Sequence, residues 1–422
     1  MAHFILFILL VLIAFARKLW SHTYLTPTGI LCGIWILIIG LMAIMAPSFY
    51  FNFHSAFFIF SFIAFFLVGE LMYHGFSRNR KVEEDVIVTF NQQKRLKLYT
   101  VILSVVSLIG ALFYLRAFVN HFGSFAQFLV AGALVREDLF DGSIQIPAIS
   151  VYTGLLSYSA INLSMVYYSK YGFRWFQLLP FLSVLIMSFS QASRAGIVIL
   201  IFQFFAGKVF KLLIAKEKKI ELKLFKPILI LIPILLTIFV LVEAFRQQDF
   251  EVNASKAQES TTVLSIYAYG GVAGFTTYLK EIYPFQESIT FGRYTFSSLY
   301  DMLGIAKAEP GIYDQYLSVS AQHSGNVYTI FRPLLEDFGY LGMSLWALLL
   351  GFFASRFFHS STDRGSLVAT SLCITIYTYL LFSFIAPLTQ FNSFILSCFL
   401  CPFVIWFAKC DFLKPTEKKP NL

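Results

Sequence analysis

Residues 51–73 read FNFHSAFFIFSFIAFFLVGELMY, an apolar run whose one acidic side chain, Glu70, lies near its end. About 20 apolar residues in a helix cross the ~30 Å hydrocarbon core of a bilayer. Comparable runs recur at 2–16, 28–46, 98–119, 147–168, 175–190, 195–214, 227–245, 336–357, 367–385 and 392–408. The sequence therefore predicts an all-α polytopic membrane protein of about eleven transmembrane helices, with residues 1–422 forming a single transmembrane domain.

The composition excludes a water-soluble globular protein. Of the 422 residues, 58% are hydrophobic and 13% are charged, and 50 are Phe. Soluble domains are nearer to half apolar and a quarter charged. The first run, 2–16, is followed by Arg17 and Lys18 and preceded by no basic residue, which is unlike a signal peptide. It is predicted to be a true span.

The basic residues predict the orientation. Most of the 32 Lys and Arg residues fall in alternate connections, the segments 17–18, 78–97, 170–174, 208–226, 356–364 and 409–419. Positive charge favours the cytoplasmic side. The N-terminus is therefore predicted outside and the C-terminus inside, in a bacterial inner membrane. The net charge of +9 comes mainly from these basic residues at the helix ends, where they suit the anionic lipids of a bilayer. This distribution gives no support for nucleic-acid binding.

The cysteines predict neither a disulfide nor a metal site. All five lie in predicted spans or in the inner tail, and Cys398 and Cys401 form a CxxC within an apolar run, where helix packing is expected. No second cysteine pair or nearby histidine completes a zinc site. No cofactor and no metal are expected.

Two long connections are predicted on the outer side. Residues 120–146 form an amphipathic loop whose apolar positions, Phe125, Phe128, Leu129 and Leu134, suit a helix on the membrane surface. Residues 246–332 form a large extracytoplasmic loop that is rich in tyrosine, with helices expected at 261–282 and 295–305. Its aromatic content argues against disorder.

The hairpin Ser190–Gly196, SQASRAG, carries the first candidate for phosphate binding. Ser193 is a suitable N-cap for the next span. The helix would then direct its N-terminal amides outward beside Arg194, and such a terminus favours anions. The alternative is that Arg194 only reaches the membrane interface.

Residues 323–339, HSGNVYTIFRPLLEDFG, carry the second candidate. Pro333 fits the first turn of a helix, which places Arg332 at another outward N-terminus. Glu336 and Asp337 would lie in the first turn, where acids also occur for electrostatic reasons alone. His323 precedes them and is a candidate general base or an ordinary surface histidine, and Asp337 and Glu336 are the alternative candidates for the base.

Three further arginines are predicted on the outer side. Arg293 lies in the large loop, Arg136 lies in the amphipathic loop and could pair with Glu137 or Asp138, and Arg246 ends a span, where a cation also suits the helix dipole. The planar fork of arginine binds phosphate oxygens in pairs. The arginines together match the diphosphate of a lipid carrier.

At these residues the chain resembles the Wzy-type O-antigen and capsule repeat-unit polymerases. The resemblance rests on the topology and on SRAG at 193–196, GRYTF at 292–296 and NVYTIFRPLLEDFG at 326–339. It implies a GT-C-like glycosyltransferase that acts on a polyprenyl-diphosphate-linked oligosaccharide, with a possible chain-length regulator as partner.

The resemblance also implies roles for individual residues. Arg194 corresponds to the hairpin arginine of the family, and Arg293 and Arg332 correspond to its large-loop arginines. His323 would take part in catalysis. Beside these family roles, the residues themselves predict a substrate-binding set of Arg136, Arg246, Ser193, Tyr294, Asn326, Tyr328 and Asp337.

Two other functions remain open at this point. An O-antigen ligase would share the architecture and the donor. A lipid-linked oligosaccharide flippase would need a polar cavity within the spans, and the sequence gives no sign of one.

Overall fold

The computed structural model describes residues 1–77, 89–132, 134–217, 254–286, 288–306 and 315–410, together with residues 220, 222–224, 237, 242, 245 and 313. The helices are α1 (Ala2–Ser21), α2 (Pro27–Met45), α3 (Phe53–Ser77), α4 (Phe90–His121), α5 (Phe125–Val130), α6 (Leu134–Phe140), α7 (Ala148–Gly154), α8 (Ser157–Tyr171), α9 (Leu178–Ser190), α10 (Ala195–Ile214), α11 (Ala254–Glu281), α12 (Ser297–Met302), α13 (Phe331–Thr362), α14 (Leu367–Phe382) and α15 (Asn392–Lys409). A β-hairpin of two short antiparallel strands, β1 (Leu317–Ser318) and β2 (Ser324–Gly325), lies between α12 and α13.

The prediction of an all-α polytopic membrane protein is confirmed. Within the described ranges, eight helical segments are long and apolar enough to cross a membrane, and two shorter apolar helices, Trp175–Ser190 and Leu367–Phe382, accompany them. The predicted span 227–245 lies outside the described residues except for positions 237, 242 and 245. The first span is longer than predicted, since α1 continues to Ser21.

Helix α13 begins earlier than the predicted span 336–357. It starts at Phe331, and its backbone breaks at Gly339, where φ is +64°. A positive φ costs glycine little. The break separates a buried first segment, Phe331–Phe338, from the long apolar segment that follows.

Helices α3 and α13 approach each other closely at two glycines. A Cβ on Gly69 would collide with the Leu348 carbonyl, and one on Gly351 would collide with the Phe66 carbonyl. Since lipid tails are as apolar as leucine, close backbone approach is a main source of helix association in a bilayer.

One end of the bundle is covered by α11 and the hairpin, and we call it the covered end. Helix α11 packs on α2, α3 and α13, and its Thr276 shares a hydrogen bond of 2.7 Å with Ser55 at the start of α3. Gly271 of α11 is needed because a Cβ there would lie 2.8 Å from the Phe384 carbonyl oxygen. Gly271, within the sequence GGVAG at 270–274, thus serves close packing.

The opposite end contains a charged cluster. Arg17 is 3% exposed and Glu70 is not exposed, and Arg17 donates to Glu70 Oε1 from Nε at 3.0 Å and from Nη2 at 2.6 Å. Glu70 also accepts from the backbone N–H of Thr28 at 3.1 Å. Arg17 directly follows the predicted span 2–16, but α1 continues past it to Ser21 and packs it against α3.

The amphipathic loop follows its prediction in part. Phe125, Leu129 and Leu134 are exposed, as a surface helix requires, but Phe128 is fully buried. Its ring lies 6.2 Å from Phe118 and 5.6 Å from Phe189. Phe128 therefore anchors the loop to α4 and α9.

We predict that Gly69→Ala destabilises the protein by about 1–3 kcal/mol, because the added methyl group has no room between α3 and α13. Gly75→Ala, on the same helix, is the control. Its Cβ would meet nothing within 4 Å, and alanine favours helix over glycine by about 1 kcal/mol. Thermal unfolding in detergent checks the pair, and equal midpoints for the two variants would contradict the close packing.

Candidate functional site

Arg332 lies in an aromatic box at the covered end. Its side chain is 2% exposed, and its Cζ lies 3.7 Å from the ring centre of Tyr313, 4.2 Å from that of Tyr328 and 5.0 Å from that of Tyr278. Such contacts stabilise a cation, and more so when it is desolvated. Helix α13 supplies the arginine, α11 supplies Tyr278, and the segment before α13 supplies the other rings.

The guanidinium is also bound by polar partners. Nε donates to Glu336 Oε1 at 3.0 Å, and Nη2 donates to Gln315 Oε1 at 2.9 Å. Nη1 is buried and has no hydrogen-bond partner among the described residues. The charge of Arg332 is balanced by Glu336, one turn further along the helix, while one donor remains available.

The phenols of the box stay neutral. Burial raises the pKa of Tyr313 well above its ordinary value, and the Glu336 charge raises it further. Burial raises the pKa of Tyr278 and of Tyr328 in the same way. Tyr313 therefore keeps its hydrogen and donates it to Glu336 Oε2.

Asp337 holds the loop that precedes α12. Its side chain has no exposed surface, and its two oxygens accept from Thr290 Oγ1 at 2.5 Å, from Tyr294 N at 3.1 Å and from Thr295 N at 2.5 Å. Its carboxylate is thus occupied by the loop. Asp337 was predicted to bind substrate, and the geometry instead gives it a positioning role.

Arg293 lies at the edge of the box. It is exposed, and its Cζ lies 5.9 Å from the ring centre of Tyr294. Tyr294 stacks on Tyr313 with ring centres 5.1 Å apart. The two large-loop arginines are therefore joined through two stacked tyrosines.

Arg194 lies at the N-terminus of α10, as predicted, but the predicted cap is wrong. Arg194 itself occupies the cap position and no side chain caps the helix. Ala192, with φ +47°, turns the chain, and Ser193 N donates to Ser188 O at 2.8 Å. Because of this tight turn the cap position falls on Arg194, one residue later than predicted, and the Ser193 side chain does not cap the helix amides.

Tyr267 of α11 lies beside Arg194. The Cζ of Arg194, which is 6% exposed, lies 5.9 Å from the Tyr267 ring centre. Burial lowers the pKa of Arg136, and the phenols of Tyr267 and Tyr316 act in the opposite sense. Asp138, a possible partner of Arg136, binds His121 at 2.8 Å.

His323 lies in the hairpin turn, half-buried, with its ring centre 6.5 Å from that of Phe49. Its Nδ1 lies 3.0 Å from Ser320 Oγ, which also accepts from the backbone N–H groups of Gln322 and His323. Since both lone pairs of the hydroxyl are used, its hydrogen points to Nδ1, and neutral His323 carries its proton on Nε2. The ring therefore presents a donor.

The remaining candidates are placed as follows. Asn326 is half-buried after the hairpin, and Tyr328 OH donates to Gln315 O at 2.5 Å. Arg246 lies outside the described residues. In the part of the chain that the structure describes, no group of three His, Cys, Asp or Glu side chains could hold a metal ion.

Sequence reasoning missed four site residues. Tyr267, Tyr278 and Tyr313 were three tyrosines among many in the large loop, and Gln315 carried no signal. The partners of a buried arginine can be distant from it in sequence, and tertiary packing decides which residues they are. The high tyrosine content of the large loop was the one sequence feature that could have indicated these aromatic partners.

No family model, curated protein or solved structure matches this chain in a comparison with known proteins.

Proposed function

We propose that this protein is a membrane glycosyltransferase that polymerises polyprenyl-diphosphate-linked oligosaccharide repeat units. One observation carries the proposal: two buried arginines, Arg194 and Arg332, lie against tyrosines of the same helix, α11, at one end of a membrane bundle. Tyr267 and Tyr278 are about 16 Å apart along the helix at 1.5 Å per residue. A reaction centre of this size at a bilayer surface suits a lipid-linked substrate.

The diphosphate would bind near Arg194. Tyr267 also interacts electrostatically with Arg136, so the amphipathic loop would bring a second guanidinium charge to this side of α11. Arginine holds phosphate oxygens in pairs through its planar fork. Preorganised donors aimed at growing charge give the largest single contribution in many enzymes.

Arg332 would have a different task. Its charge is already balanced by Glu336, so a diphosphate at this position would have to compete with a carboxylate 3.0 Å away. Arg332 instead fixes Tyr278, Tyr313 and Tyr328 in place. Its remaining donor, Nη1, would bind a neutral oxygen of the glycan.

The transfer step follows from these positions. The hydroxyl of one repeat unit attacks the anomeric carbon of another, and the bond to the polyprenyl diphosphate breaks. Arg194 stabilises the charge that develops on the departing diphosphate, whose oxygens can take up the hydroxyl proton. His323, with its proton on Nε2, would donate a hydrogen bond to the substrate instead of acting as the base.

The proposal places the covered end outside the cytoplasm of a bacterial cell. That orientation puts the N-terminus outside and the basic connections inside, as the positive-inside rule requires. A ligase would use the same donor, so the acceptor decides between the two activities. A chain-length regulator is a possible partner of the polymerase.

The direct test supplies purified protein in detergent with a polyprenyl-diphosphate repeat unit in the presence of EDTA. We expect a ladder of glycan multiples on a gel, because the arginines supply the positive charge. Folded protein that gives no ladder with its native substrate, but transfers glycan to a lipid A core acceptor, would identify a ligase.

Arg194→Ala should lower the polymerisation rate by about 10²–10³, the effect of removing one preorganised donor to developing charge. Arg194→Lys should also fall short, since the fork is lost. Arg356→Ala, an exposed arginine in the second half of α13, is the matched control. Polymer of normal length from Arg194→Ala at normal abundance would refute the role of Arg194.

Arg332→Gln should destabilise the protein by about 3–5 kcal/mol, because it leaves the buried Glu336 carboxylate without its partner. The double variant Arg332→Gln with Glu336→Gln should regain thermal stability and keep measurable activity, since both charges are removed together. A stable double variant as inactive as Arg194→Ala would show that Arg332 contacts the reacting groups directly.

A further inference from the structure

A cavity lies between the helices directly behind the Arg194 hairpin. Its volume is about 330 Å³, and it is bounded by α7, α8, α9 and α10. Most of its wall is apolar, formed by Val151, Leu155, Val184, Met187 and Ile199. It falls in the size range of small-molecule sites.

A break in one transmembrane segment forms the cavity. Helix α7 ends at Gly154 and α8 begins at Ser157, and Ser157 Oγ donates to the Gly154 carbonyl at 2.7 Å. A Cβ on Gly154 would lie 2.8 Å from Met187 Cε, so a larger residue would push into the cavity wall. Such breaks in lipid-embedded helices are tolerated where they line a cavity.

The mouth of the cavity is polar and adjoins the proposed diphosphate site. Ser193 and Ala195, the chain neighbours of Arg194, both line it, as does Gln191, which donates to Tyr114 OH at 3.0 Å. Since Ser193 and Ala195 flank Arg194 in the chain, the apolar space adjoins the residue that is proposed to hold the diphosphate.

We propose that this cavity binds the first isoprene units of the lipid carrier while Arg194 holds the attached diphosphate. The inference rests on the proposed function, which supplies an anionic head joined directly to a hydrocarbon chain. The apolar wall suits the chain, and Arg194, which lies between two residues of the lining, complements the charge.

Photolabelling tests the assignment. The probe is polyprenyl diphosphate, without sugar, that carries a photoreactive group in its first isoprene unit. It should label peptides of α9 that contain Val184 and Met187, and unlabelled polyprenyl diphosphate should compete. Competition by phospholipid at equal concentration would show a general hydrocarbon surface and overturn the proposal.

Val184→Trp should reduce the labelling about ten-fold or more, because the indole occupies apolar space that the chain would bury. Val184 is 2% exposed, and Leu182→Trp on the same helix, 48% exposed, is the control. Val151→Trp, at a half-exposed wall position, gives a second test if Val184→Trp does not fold, with Tyr152→Trp as its control. Equal labelling of variant and control would overturn the proposal.

The two hypotheses fail separately. A glycan ladder together with unchanged labelling of Val184→Trp would refute the chain site and leave the polymerase intact. Labelling that depends on Val184 without a ladder would support a carrier-binding cavity and refute the polymerase.

Discussion

Two adjacent buried carboxylates, Glu336 and Asp337, hold the covered end of this protein together. A buried charge is costly unless it is paired and hydrogen-bonded. Glu336 meets that requirement with Arg332 and Tyr313, and Asp337 meets it with two backbone N–H groups and Thr290 of the loop before α12. Because the two side chains leave the same helical turn in different directions, one fixes the arginine and the other fixes the loop. The break at Gly339 then lets the long apolar segment of α13 continue along its own axis.

In the proposed function, different arginines position the glycan and bind the diphosphate. Arg332 is neutralised, enclosed by three rings and rigid, which suits the positioning of a neutral glycan. Arg194, at the start of α10, lies beside Tyr267 of α11. Helix α11 carries a tyrosine for each site, so its length sets the separation between them. The tight packing of Gly271 against the Phe384 carbonyl keeps α11 in register with the bundle.

The sequence predicts the spans well because hydrophobic length is a local property. The sequence did not predict that α13 starts at Phe331 or that α1 continues beyond Arg17. In both places an arginine has a buried carboxylate partner, so its charge does not mark the end of a helix. The arginines of the site could be selected from the sequence by their position against the positive-inside bias. Their partners could not, because Gln315 and Tyr313 come from a part of the large loop whose path depends on packing against α11 and α13. The Ser193 cap failed for a smaller reason, a left-handed turn at Ala192 that the residue type does not favour.

The distribution of polar groups bears on whether the chain moves its substrate or reacts with it. At the end opposite the covered one, Arg17 and Glu70 are joined to a chain of hydrogen bonds: Arg17 Nη2 to His74 at 3.1 Å, His74 to His359 at 3.4 Å, and His359 to Asp363 at 2.9 Å. These contacts tie α1, α3 and α13 to one another. Between the two ends, Asn162 bonds the Ser371 carbonyl, the Thr375 hydroxyl and the Ser371 hydroxyl, at 3.2, 2.8 and 2.8 Å, so its amide serves to join α8 and α14. In the proposed glycosyltransferase, these polar groups join packed helices, and the substrate is bound at the covered end.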